Sequence, residues 1–211
     1  MYASIVSFFQ EGGSFMYPIL FVLAIGLAIS LERYIYLTAS RSSNRRLLNK
    51  ILPLLQKGDY QQAYNVTSKS DTAICRMLSQ GLGRMKTASN RDEIEAAMEE
   101  SMMEVIPRLE KRTHYLATFA NIATLLGLLG TIIGLIKAFT AVAQVDPAMK
   151  AEILSTSISV AMNTTAFGLM VAIPLLLIYA VLQTKTTEIV DSLEMATVKF
   201  VNLMMSRKSA N

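Results

Sequence analysis

From Ile153 to Leu182 the chain reads ILSTSISVAMNTTAFGLMVAIPLLLIYAVL, without one charged residue. About 20 apolar residues cover the hydrocarbon of a bilayer, and a helix satisfies its own backbone polar groups there. Two earlier stretches, 15–38 and 113–142, are likewise long and apolar, with Glu32, Arg33 and Lys137 near their ends. They predict an all-α integral membrane protein with three transmembrane helices. Composition agrees: hydrophobic residues make up 52%, charged residues 17%, and the mean hydropathy is +0.39. Those values describe a membrane protein that keeps a sizeable polar portion. The first stretch reads as a retained helix rather than a secretory signal, since no basic region precedes it and its apolar run is too long.

The basic residues are sorted along the chain, so the net charge of +4 is not a patch for nucleic acid. None occurs before Arg33. Arg41, Arg45, Arg46 and Lys50 follow the first span; Arg108, Lys111 and Arg112 precede the second; Lys185 follows the third. Near the turn between the last two spans stand only Lys137 and Lys150, beside Asp146 and Glu152. By the positive-inside rule the N-terminus lies outside, in the periplasm if the membrane is a bacterial inner one, and the C-terminus is cytoplasmic. The expected order is a periplasmic segment 1–14, span 15–38, cytoplasmic helical loop 39–112, span 113–142, periplasmic hairpin 143–152, span 153–183 and cytoplasmic helix 184–211.

The loop is helical in pattern. Its last segment has Ser89 and Asn90 as cap candidates and Asp92 and Glu93 in the first turn. Only Pro107 interrupts the passage into the second span; an unbroken helix there would be about 70 Å long at ~1.5 Å per residue. After the third span, Ile189, Leu193, Ala196 and Phe200 recur at spacings of three and four, a buried stripe. Long helices extended from membrane into cytoplasm need packing partners, and sister subunits would serve.

Enzyme chemistry finds no support. Cys75 and His114 are single residues of their kinds, too few for a disulfide framework, a metal cluster or a triad. There is no phosphate-binding glycine loop and no implied cofactor, so any work done must draw on an ion gradient.

The polarity inside the spans is more informative. Thr124 and Thr131 are two helical turns apart, with Asn121 one turn before Thr124 on that face. Gly127, Gly130 and Gly134 provide small residues for close helix approach. In the third span Ala161, Thr165, Gly168 and Ala172 form another small stripe, Asn163 and Thr164 flank it, and Pro174 lies deeper. Threonine often bonds only its own preceding turn. Recurrence on two helices joined by a short hairpin points instead to an ion or substrate path. No Asp or Glu lies at mid-depth, so if cations cross here another polypeptide brings the charge, which implies a partner helix.

The segments FFQEGGSFMYPIL and LERYIYL, LATFANIATLLGLLGTIIGLIKAF, and TTAFGLMVAIPLLLIY resemble, in order, the three spans of the MotA/TolQ/ExbB family, in its ExbB/TolQ branch. The resemblance implies a homopentameric helical bundle around an ExbD/TolR-like single-span partner that carries a membrane aspartate. It implies that ion flow is turned into force on a TonB-like or TolA-like protein, and that Thr131 and Thr165 line the ion path. Membrane lipids are the remaining expected partner.

Two departures concern the ion. Many members have a glutamate where Val160 stands, and Ala-Thr where this chain has Thr164-Thr165. A Thr-Thr pair is similar to sodium-driven flagellar stators. Losing a carboxylate and gaining a hydroxyl moves the site toward a hard cation that needs several oxygens, so the expected ion is H+ or Na+, the latter near Thr131, Thr164 and Thr165. The competing readings are a MotA-type flagellar stator, which usually has four spans, and a non-conducting scaffold whose polar residues only knit helices together.

Overall fold

The computed structural model describes residues 8–9, 12–85, 87–88 and 90–208, and these are helical apart from short connections. Helix α1 is Met16–Lys57, α2 Tyr60–Thr67, α3 Ala73–Arg84, α4 Arg91–Glu110, α5 Thr113–Ala143 and α6 Lys150–Lys208. A single 3₁₀ turn, Pro147–Met149, joins α5 to α6. Three helical stretches, in α1, α5 and α6, are long and apolar enough to cross a membrane. The expected cap Ser89 lies outside the described residues; Asn90 precedes α4, but its side chain makes no capping bond.

The chain divides into two compact units, 1–32 with 112–181 and 33–111 with 182–211. The second has a soluble-type core. Ile189, Leu193, Ala196 and Phe200 of α6 are all buried, as their spacing predicts, together with Met77, Leu78, Met98 and Leu109. Gly81 of α3 permits this packing: a Cβ there would stand 2.7 Å from Met98 Sδ and 3.0 Å from Phe200 Cε1. Helix α1 ends in a Schellman motif around Gly58 (φ +81), with Gly58 N–H bonded to Leu55 O at 3.1 Å and Asp59 N–H to Leu54 O at 3.0 Å. Asp59 then caps α2 by accepting from Gln62 N–H at 3.1 Å. On the surface Arg76 pairs with Asp71 at 2.6 Å and with Glu104 at 3.3 Å, joining α3 to α4. The hydrogen bond from Arg76 holds the Asp71 carboxyl below its usual range.

The long helix expected to lead from the loop into the second span is broken. Lys111 is extended (ψ 132) and Arg112 left-handed (φ 66), so α4 and α5 are separate helices. Residue type gives no warning, because arginine rarely adopts a left-handed backbone. Tertiary contacts hold the break. In the first unit the Arg112 guanidinium meets both Glu32 carboxylate oxygens, at 2.9 and 2.8 Å. In the second, Arg33, only 3% exposed, donates to the Leu109 carbonyl and lies 4.9 Å over the Tyr36 ring. Arg112→Gly is expected to unfold at a higher temperature than Arg112→Ala. Both lose the ion pair, but glycine avoids about 1 kcal/mol of left-handed strain. Equal stabilities would show that the strain is not stored at this residue.

Candidate ion path

The site lies in the first unit, where α5 and α6 run against each other along small residues. A Cβ on Gly168 would stand 2.7 Å from the Ala123 carbonyl oxygen and 3.1 Å from Gly127 Cα. One on Gly127 would stand 3.2 Å from Thr165 Cα, and one on Gly134 3.0 Å from Ala161 Cβ. The glycine series of α5 therefore faces the small stripe of α6, backbone against backbone. Close approach of this kind gives membrane helices dispersion contacts that bulky side chains would block.

That seam brings Thr131 and Thr165 together. Their hydroxyl oxygens are in direct hydrogen-bond contact. Thr131 Oγ1 is 3.2 Å from Gly127 O on its own helix and 3.2 Å from Ala161 O on the other. Thr165 Oγ1 reaches across to Gly127 O at 3.0 Å. Two hydroxyls carry two protons and four lone pairs. If one proton joins the two oxygens and the other goes to a carbonyl, three lone pairs remain for a cation or a protonated acid. Both residues are half-buried rather than sealed. Between Arg112 and Lys137 on α5, and between Glu152 and Lys185 on α6, no charged side chain accompanies them.

The other polar candidates are placed differently. Thr124 is exposed and bonds Ala120 O one turn back at 3.1 Å, the local habit of helical threonine. Asn121 is exposed and Asn163 half-buried. Pro174 also lies on an exposed face rather than in the α5–α6 seam.

Thr164 turns away from the pair. It is 2% exposed, with its methyl against Gly130, where an added Cβ would stand 2.4 Å from Thr164 Cγ2. Its hydroxyl is 2.7 Å from Gly12 O and 3.0 Å from Val160 O. Sequence reasoning missed Gly12, although the Gly12-Gly13 turn signal was available; Gly13 has φ +74. This turn is seated beside α5 and α6 about 20 Å from their hairpin ends, counting ~1.5 Å per residue. Nearby, Phe9 packs edge-on against Phe167 at 5.9 Å and Tyr17 at 5.4 Å. Non-helical backbone at such depth has to be bonded internally, and Thr164 does this for the Gly12 carbonyl.

Thr164→Val is accordingly expected to destabilise the protein by about 1–3 kcal/mol, the cost of an unbonded buried carbonyl. Thr164→Ser should retain most of the stability. Thermal unfolding in detergent checks both; unchanged stability of the valine variant would return Thr164 to the list of ion ligands.

The last two spans of this multi-pass membrane protein thus meet at a hydroxyl pair, with no carboxylate of their own. Residues 69–195, more than half of the chain, match the family model of the MotA/TolQ/ExbB proton channel family, and the chain belongs to that family. It is similar to a putative biopolymer transport protein ExbB homolog of Methanothermobacter thermautotrophicus, 29% identical over 92% of this chain and 68% of the relative. A putative ExbB-like 3 biopolymer transport protein of Synechocystis is 27% identical over 80% of each chain. The Tol-Pal system protein TolQ of Haemophilus influenzae is 36% identical over 39% of this chain and 36% of its own. These relatives put the chain on the ExbB-like side of the family, and the family together with the three apolar helices makes it a multi-pass protein of the inner membrane.

Proposed function

We propose that this protein is the channel-forming subunit of an ion-driven motor. Several copies, five in the arrangement its family resemblance implies, enclose the membrane helices of an ExbD/TolR-like single-span partner. A carboxylate of that partner takes up and releases the ion beside Thr131 and Thr165. The resulting motion is passed through the periplasm to a TonB-like or TolA-like protein. Residues 39–112 and 184–211 lie on the cytoplasmic side, where the positive-inside rule puts their lysines and arginines. The observation that carries this reading is the hydroxyl pair in a seam without a carboxylate. Exposed apolar side chains on both helices, among them Leu125 and Ile132 on α5 and Met170 and Ile173 on α6, call for lipid or sister copies to cover them.

The ion we propose is the proton. With Thr164 engaged by Gly12, the seam offers two hydroxyls and two carbonyls that already serve their helices, few oxygens for a sodium ion. Replacing sodium with potassium at a constant proton gradient is expected to leave force-dependent activity unchanged. Activity that disappears with sodium would make sodium the coupling ion.

A scaffold role has one observation in its favour: the bonds from Thr131 to Ala161 and from Thr165 to Gly127 also tie the helices together. Valine substitutions separate the two readings.

A further inference from the structure

One stripe of α1 in the second unit changes character abruptly. Tyr34 and Ile35 are 50% and 59% exposed, the surface expected of a helix meeting lipid. Beyond them Thr38, Arg41, Ser42, Arg45, Arg46 and Asn49 line a surface groove of about 470 Å³. The spacings of three and four put these residues on one side of the helix.

The groove is rich in donors and in positive charge. Arg41 pairs with Glu188 of α6 at 2.8 Å, and that carboxylate is the one acid meeting a lining side chain among the described residues. Arg45 and Arg46 have no acidic partner among the described residues. Lys185 adds a further cation at the rim, 3.1 Å from Thr38 Oγ1 and 3.6 Å above the Tyr34 ring. Four cations thus face one carboxylate.

We infer that this groove binds the phosphodiester headgroup of an anionic phospholipid. Tyrosine marks the membrane interface, and Arg41 and Arg45 follow Tyr34 by about 10 and 16 Å at ~1.5 Å per residue. Helical side chains tilt toward the N-terminus of their helix, so arginines on a helix leaving the membrane lean back toward the headgroups. Guanidinium forks match phosphate oxygens. The hydroxyls of Thr38 and Ser42 and the amide of Asn49 supply further hydrogen bonds, and Tyr34 and Ile35 give the acyl chains an apolar wall. A zwitterionic headgroup would bring its own cation into an already positive groove.

The test is a lipid titration of the intact chain in neutral detergent, followed by native mass spectrometry. Phosphatidylglycerol and phosphatidylcholine are the probes, with inorganic phosphate as competitor. The wild type is expected to bind phosphatidylglycerol at least tenfold more tightly than phosphatidylcholine. Arg45→Gln with Arg46→Gln is expected to weaken the anionic lipid about thirtyfold, from two basic groups near an anionic surface. Arg45→Lys with Arg46→Lys, which keeps the charge but not the guanidinium fork, should restore part of the binding. Equal affinity for the two lipids, or a glutamine variant that binds like wild type, overturns the inference. So does displacement by millimolar inorganic phosphate, which would make free phosphate the ligand. A glutamine variant that loses oligomeric state while keeping its lipid affinity would assign the groove to contact between copies, and also overturns it.

Discussion

Thr131→Val and Thr165→Val each cut ion-driven activity by roughly ten- to a hundredfold, the expected result of removing one hydrogen bond to a charged group, worth about 1.5–3 kcal/mol. Valine matches threonine in shape, so the α5–α6 seam still closes. Gly127 O and Ala161 O, the carbonyls that the two hydroxyls approach, remain acceptors within their own helices. Stability should therefore shift by about 1 kcal/mol or less. Flux is measured in vesicles containing this chain and the proposed ExbD/TolR-like single-span partner, normalised to assembled complex. A scaffold predicts the reverse pattern, with normal flux per complex and weakened assembly. The double variant should resemble the worse single one, because the two oxygens act as one unit.

Gly168→Val should be the most damaging single change to the fold. The first atom of the new side chain would stand 2.7 Å from the Ala123 carbonyl oxygen and 3.1 Å from Gly127 Cα, and both are backbone. Backbone cannot swing aside as a side-chain tip can, so the helices must part. We expect a loss of about 3 kcal/mol or more, at the upper end of overpacking costs. For a chain of this size that lowers Tm by roughly 10 °C. Separation of the helices also pulls Thr131 from Thr165, so activity falls with stability. Gly83→Ala is the internal control. Its Cβ would meet only Tyr64 Cε2, at 4.0 Å, and helix propensity should make the variant up to about 1 kcal/mol more stable. Thermal unfolding of the two variants beside wild type decides the matter; equal melting temperatures would mean that the α5–α6 seam is looser than its geometry implies.

How much was legible in the sequence differs by element. The spans could be read because lipid imposes a one-dimensional requirement, a long apolar run that a window of sequence reveals. The Ile189–Phe200 stripe was legible for a similar reason, since helix periodicity shows which face is buried. The break at Lys111–Arg112 was not. It depends on Glu32, distant in sequence, and no local signal marks an arginine that turns left-handed. Asn121 and Thr124 share the periodic face of Thr131, yet face outward in this chain.

Helicity, membrane spans and the lack of a charge where the polar residues gather all follow from the amino-acid sequence. Those properties depend on composition and spacing along one strand of chain. Which threonine pairs across the seam depends on the tertiary packing. Thr164 and Thr165 are adjacent, but about 100° of helical rotation separates neighbouring side chains at 3.6 residues per turn. That rotation sends Thr165 to Thr131 and Thr164 to the carbonyl of Gly12. The partner each finds is set by the packing of three segments far apart in sequence, which no local pattern records.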